Sequence, residues 1–260
     1  MFGNPELNAE IKLNFIGHEN ISERKKMHMI TSDVGGRIKE LGFSDLRNMR
    51  SSEGGIGDVL KMSSSLKKDV EEFDEQMKKW KERAAEKKEE VRTMEKRKTG
   101  RNHEYRGEED EGKENGFGIL VGVDGPYVGD HFEGEFKHGK YDGKGVYYWT
   151  NGDRYEGEFK EDKRNGKGFY YWANGNRYEG EWKDNKQHGK GIFHWVEGDR
   201  YEGEWKENSK DGMGVFYWIN GNWKEGEYKK GQSHGKVILH HKTGETEEQI
   251  YENGLRIDRM

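Results

Sequence analysis

The 260-residue chain has no cysteine, two prolines and no apolar run approaching the length of a membrane span. Without cysteine there is no disulfide framework, no thiolate zinc site and no cysteine nucleophile. Without ~18 consecutive apolar residues no helix crosses a bilayer, which excludes an integral helical membrane protein. Scarce proline beside 38 glycines also rules out a Pro/Gly low-complexity linker. The first fifteen residues lack the basic start and apolar centre of a secretory signal, and they are not an Arg/Ser-rich transit helix. The expectation is a soluble cytoplasmic protein. What is present is an odd pairing: 37% of residues are charged, as in disordered chains, yet 12% are aromatic, as disordered chains are not.

Both features divide the chain near residues 98–103. Residues 1–104 carry 22 Lys+Arg against 20 Asp+Glu, and the remainder carries 24 against 31, a net of −7. Twenty-nine of the 38 glycines and 27 of the 32 aromatics lie from Tyr105 onward. That second part repeats every 23 residues: FEGEF from Phe132, YEGEF from Tyr155, then YEGEW from Tyr178 and from Tyr201. A weaker KEGEY starts at Lys224, and a trace follows at Glu247. Each unit continues with Gly-x-Gly, an apolar tetrad ending in Trp149, Trp172, Trp195 or Trp218, and an NGD, NGN or EGD turn. An earlier unit opens at Tyr105 and is about four residues longer, with the insertion near Pro126–Asp130.

Two short apolar runs separated by Gly/Asn/Asp clusters are strands joined by turns. Tyr155, Gly157 and Phe159 alternate with Glu156 and Glu158, giving one aromatic and one acidic face. Asn-Gly in each closing turn is the strongest short hairpin signal, because both central residues tolerate positive φ. Each unit is therefore a β-hairpin, and stacked hairpins make a solenoid-like array with neighbour-only contacts.

The pattern Y-E-G-E-W, a turn, H/N-G-K-G and N-G-D resembles the MORN (membrane occupation and recognition nexus) repeat over residues 105–254. The resemblance implies a mainly β fold, an elongated single-layer antiparallel sheet of stacked hairpins with an aromatic groove along one face. Units are expected at 105–131, 132–154, 155–177, 178–200, 201–223 and 224–246, with a stub at 247–254 and a tail at 255–260. Glu109 and Lys224 depart from the ring positions of the motif, as capping units do.

Nothing in the array has the form of an active site. Its only serines, Ser209 and Ser233, sit in turns. The pairs Glu156/Glu158, Glu179/Glu181 and Glu202/Glu204 recur, whereas a catalytic dyad is singular, so they read as a solubilising outer ladder. His188 and His234 share a column with Asp142, Asn165 and Asp211, residue types that tolerate left-handed backbone, so no metal is needed to explain them. No catalysis, metal or cofactor is expected. The aromatic columns are core rings or partner-binding rings. In tetrads such as VYYW both faces are apolar, and a single layer cannot bury both, which leaves either a helix-binding groove or a self-sufficient curled sheet. The expected partner-binding residues are Trp149, Tyr155, Phe159, Trp172, Tyr178, Trp182, Trp195, Tyr201, Trp205 and Trp218.

Residues 58–100 read as a long amphipathic helix, about 60 Å at 1.5 Å per residue. Val59, Leu66, Phe73 and Trp80 fall seven apart, Val70, Met77, Ala84 and Val91 fill the alternating positions, and Lys87 interrupts the seam. Leu66, Val70, Phe73, Met77 and Trp80 are its expected docking residues, against the chain's own sheet or another chain. Residues 1–57 are too poor in apolar residues for a core and read as an extended tethering segment that orders on a partner. The resemblance implies a non-enzymatic scaffold that binds proteins, of the kind found in ciliary axonemes and their radial-spoke heads or in other cytoskeletal complexes. The alternative is a phosphoinositide or membrane-surface adaptor. A net of −7 opposes anionic lipid, and the absence of a basic stripe beside the rings opposes nucleic acid. A homodimer through the sheet ends stays open.

Overall fold

The computed structural model describes residues 56–99 and 102–258, together with the backbone of 29–32 and 38–41. The last two segments are β1 (Met29–Ser32) and β2 (Ile38–Leu41), an antiparallel pair belonging to a separate unit of the chain. The rest of the expected tethering segment lies outside the described residues. In the second unit, helix α1 (Ile56–Arg92) precedes a fifteen-stranded antiparallel sheet.

The strands follow one another in space as they do in sequence. They are β3 (Arg97–Lys98), β4 (His103–Asp110), β5 (Lys113–Gly122), β6 (His131–Lys137), β7 (Lys140–Tyr148), β8 (Arg154–Lys160) and β9 (Lys163–Tyr171). Then come β10 (Arg177–Lys183), β11 (Lys186–His194), β12 (Arg200–Lys206), β13 (Ser209–Tyr217), β14 (Trp223–Lys229), β15 (Gln232–His240), β16 (Thr246–Glu252) and β17 (Leu255–Arg256). The sheet thus begins before Tyr105 and takes in part of the expected tail. The helix stops at Arg92, short of residue 100. There the bonds tighten, Thr93 N–H reaching Glu90 O and Met94 N–H reaching Val91 O, so that Arg97 and Lys98 can pair with β4. The insertion of the first unit is a 3₁₀ turn at Gly125–Tyr127, whose Asp124 Oδ1 accepts from Gly125 N–H at 2.7 Å.

The turn chemistry differs from the expectation. In the NGD-type turns only the glycine takes positive φ. Gly152 N–H bonds Trp149 O, and Trp149 N–H bonds Asp153 O, a tight turn followed by a left-handed residue. The two-residue hairpin turns with both φ positive lie at the opposite end of each unit, at Glu161–Asp162, Asp184–Asn185 and Glu207–Asn208. The second residue of each is fixed by the preceding unit: Asn208 N–H bonds Gln187 O, and its Oδ1 accepts from Gln187 N–H at 2.8 Å. Glu207, the first residue of its turn, makes no such reciprocal pair, and an unbranched acid there carries the left-handed cost without return. Glu207→Asn is therefore expected to stabilise the chain by about 0.5–1 kcal/mol. Its exposed pairing with Lys186 is worth little. A urea midpoint that falls in this variant contradicts the argument.

The glycine-rich motif has a local cause. At the first motif glycine the register slips, between Gly157 and Phe159 and again between Gly180 and Glu181. The backbone groups freed by these bulges find side-chain partners. Glu158 Oε2 accepts from Lys167 N–H at 2.7 Å, and Glu204 Oε2 accepts from Met213 N–H at 2.7 Å. Tyr155 Oη donates to Glu158 O at 3.0 Å, and Tyr178 Oη to Glu181 O at 3.1 Å. Each tyrosine ring thereby folds flat over the paired glycines of its own hairpin, where a Cβ would overlap it.

Candidate partner-binding face

The alternation of each strand separates two faces with different contents. One carries the rings. Tyr155 meets Phe159 edge to face at 5.0 Å and Trp182 at 5.4 Å; Tyr178 meets Trp182 and Trp205; Tyr201 meets Trp205 and Tyr228. Tyr155, Tyr178, Tyr201, Phe159, Trp182 and Trp205 are all buried in this ladder, and it is the core of the array. Trp182 and Trp205 also donate their indole N–H to Gly168 O and Gly191 O of the preceding unit, at 3.2 and 3.1 Å. Six of the ten expected partner-binding rings are thus inside the protein. The other four, Trp149, Trp172, Trp195 and Trp218, are half-buried and run beside them as a second ladder, interleaved with Tyr147, Tyr170, Phe193 and Phe216 at centroid spacings of 4.4–5.3 Å. The turn residues next to the last two, Val196 and Ile219, are 58% and 72% exposed. They extend the apolar rim.

Cations interrupt the rings. Arg164 lies over Trp149, Tyr155, Tyr170 and Trp182, 4.6 Å from the last, with its NH2 group donating to Asn185 O at 3.0 Å. Lys210 Nζ stands 5.2–5.8 Å from the centroids of Trp195, Tyr201, Phe216 and Tyr228. Lys224 Nζ stands 5.5–5.8 Å from Trp218, Tyr228 and Tyr251, and donates to Ser233 Oγ at 2.8 Å. Burial pulls the Lys210 ammonium down to about 8, helped by the charge on Lys224, and burial also lowers Lys224 and Arg164. Sequence reading missed Arg164 and Lys210, although parity would have found them, since each shares its strand face with the two glycines and the ring that follow.

The other face carries the helix and overturns the reading of the glutamates as an outer ladder. Glu156 is 4% exposed and Glu202 fully buried beneath α1. Lys81 pairs with Glu156, Lys88 with Glu133, and Lys67 with Glu202 at 3.2 Å, while Ser63 Oγ donates to Glu202. Each of these glutamates also has a basic side chain two residues before it on its own strand: His131, Arg154 or Arg200. Burial works against the charge of Glu133, but His131 and Lys88 hold its carboxyl below the usual range. Between them lie Phe73 on Phe169 at 5.3 Å and Trp80 beside Phe117, whose indole N–H reaches Glu135 Oε1 at 2.8 Å. Leu66, Phe73, Met77 and Trp80 are buried and Val70 half-buried on this side. Seven helical residues advance about 10.5 Å and one hairpin about 9.6 Å, so one heptad of helix spans one repeat of sheet.

The column of Asp142, Asn165, His188, Asp211 and His234 is likewise corrected. None of these residues has positive φ; the following glycine does. Asp142 and Asp211 instead accept from Glu161 and Lys230 N–H in the next unit. Among the described residues no cluster of His, Asp and Glu could hold a metal ion, and no helix is long and apolar enough to cross a membrane.

A single sheet of near-identical hairpins, each bonded to its neighbours, defines a β-hairpin repeat protein. The family model of the MORN repeat matches residues 105–127, 132–154, 155–177, 178–200, 201–223 and 225–236, and the chain belongs to the MORN-repeat family. No curated protein matches it. MORN repeats are in general structural or binding repeats, which fits a repeat scaffold or binding protein.

Proposed function

We propose that the chain is a non-enzymatic scaffold whose ring face receives a segment of a protein partner, a helix in the aromatic groove, within a cytoskeletal assembly such as a ciliary axoneme. One observation carries the binding reading. The row Trp149, Trp172, Trp195 and Trp218 stays half-exposed along a face whose deeper rings are already buried, and it continues into exposed Val196 and Ile219. Large apolar side chains repeated in register on an accessible face mark an interaction surface. The cytoskeletal placement rests on resemblance to axonemal members of the family. Rigidity supports a spacing role, since each unit is tied to the next by side-chain bonds such as Asp153 Oδ1 to Ala173 N–H and Asp199 Oδ1 to Ile219 N–H, both 2.9 Å.

The test is a double substitution, Trp172→Ala with Trp195→Ala. Partner recovery, read by cross-linking mass spectrometry on cell fractions, is expected to fall at least about 30-fold for a hot-spot loss of 2 kcal/mol or more. The cost in stability is expected to stay below the 3–5 kcal/mol of a fully buried tryptophan. Unchanged partner recovery with only a lower melting temperature sinks the reading.

A further inference from the structure

Two sets of carboxylates in the array are neutralised at home: the helix-face glutamates have lysines and arginines, and the turn-tip carboxylates Glu161, Asp184 and Glu207 have Lys140, Lys163 and Lys186. On the ring face Arg164 is held by Asn185 O rather than by a carboxylate, and among the described residues no such bond to a backbone carbonyl is seen for Lys210 and Lys224. Both lie over the Tyr228 ring, at 5.2 and 5.8 Å from its centroid, and neither has a carboxylate within ion-pair distance among the described residues. Rings attract a cation, but at Lys210 that attraction does not offset burial. Each lysine also lies beside a half-buried tryptophan, Lys210 at 5.8 Å from Trp195 and Lys224 at 5.6 Å from Trp218. A segment resting on those two indoles therefore has positive charge next to it. The acidic side chains around the ring face are already engaged: Asp130 and Asp153 accept from Tyr147 Oη at 2.9 Å and Tyr170 Oη at 2.7 Å, Asp199 Oδ1 accepts from Ile219 N–H, and Glu247 pairs with Arg256.

The geometry points to a carboxylate site at the C-terminal end of the ring face: Lys210 and Lys224, walled by Trp195, Trp218, Tyr228 and Tyr251, receive Asp or Glu side chains of an acidic protein segment lying on the tryptophan row. This rests on the ring-face reading and adds the polarity of the occupant. An anionic bilayer offers the same charge but must approach as a plane, against turn edges and a repeat region of net charge −7. A peptide reaches the lysines without crossing those edges.

The experiment is selection of a displayed library of randomised amphipathic peptides on the full-length chain. Selected peptides are expected to be enriched in Asp and Glu over the input library. They are expected to bind Lys210→Met/Lys224→Met at least about tenfold more weakly, since a charge-assisted pair is lost. The free double variant should melt no lower than the parent, because a desolvated charge pair has become an apolar one. Selected peptides without acidic bias, or of equal affinity for the lysine variant, overturn the carboxylate site while leaving the ring face intact. Peptides indifferent to Trp172→Ala/Trp195→Ala, or no selection at all, overturn the ring-face reading and the site with it. Lysine-dependent retention on phosphatidylserine vesicles, with no acidic bias among peptides, assigns the lysines to lipid and also overturns the proposal.

Discussion

Gly191→Val is expected to destabilise the array by roughly 3 kcal/mol, and Tyr178→Leu in the same molecule to recover about 2 kcal/mol of that loss. The Tyr178 ring lies directly on Gly191, and a Cβ there would sit 2.6 Å from ring atom Cε2 and closer still to Cζ and Oη. The ring cannot move aside, because it is buried, wedged edge-on between Trp182 and Trp205, and tied through Oη to Glu181 O. Removing the ring alone opens a cavity and costs a few kcal/mol. The branched side chain then fills the space the ring has left, so the two losses are not additive. The protein already contains this exchange. In its last full unit Lys224 stands where the tyrosine would be, and Val237, fully buried, stands where the second glycine would be. Because contacts run only between neighbouring units, the loss should be local and legible as faster hydrogen exchange in β10–β12. Strictly additive costs in the double variant would show that ring and glycine are not coupled, and that the glycines serve backbone conformation alone.

That pairing also marks where sequence reading stops. The period, the hairpins and the ring/acid alternation were legible because each is a spacing, and spacing survives without coordinates. The replacement of Tyr by Lys224 was legible as a departure, but its compensation by Val237, thirteen residues on and paired with Gly226, becomes visible only once β14 and β15 are paired. The glutamates misled for a different reason. A carboxylate beneath a helix and one in water look alike in sequence, and only the seven-residue spacing of Lys67, Lys81 and Lys88 against the 23-residue spacing of Glu133, Glu156 and Glu202 distinguishes them. The apolar residues of tetrads such as VYYW pointed to both faces, so composition left open which face the helix would cover. The partners decide it: Val146 and Phe169 belong to the cluster that the helix covers, with Phe169 against Phe73, while Tyr147 and Trp149 pack on the tyrosine ladder. The turns misled because Asn-Gly fits two turn types. The two-residue turn instead fell on Glu161–Asp162, where interunit bonds override local preference.

The helix and the ring core are separate cohesive units, so breaking one should spare the other. Phe73→Asp is expected to undock α1, abolishing most of its amide protection while the central strands keep theirs. Phe73 is buried against Phe169 at the middle of the seam, and aspartate would replace that ring contact with a buried carboxylate, a cost of several kcal/mol. The released helix would not melt completely, since pairs along its exposed side, Lys68 with Glu72 and Lys78 with Asp74, support it at a few tenths of a kcal/mol each. The sheet should hold for two reasons. Its ring ladder makes no use of the helix, and Glu156 and Glu202 keep Arg154 and Arg200 when Lys81 and Lys67 leave. Exposing Phe117, Ile119, Val146 and Phe169 would leave a contiguous apolar strip, so the variant is also expected to self-associate in sedimentation. Loss of strand protection together with that of the helix would show that the helix is part of one cooperative core. A helix that stays protected would place its docking energy elsewhere along the seam, in Leu66, Met77 and Trp80.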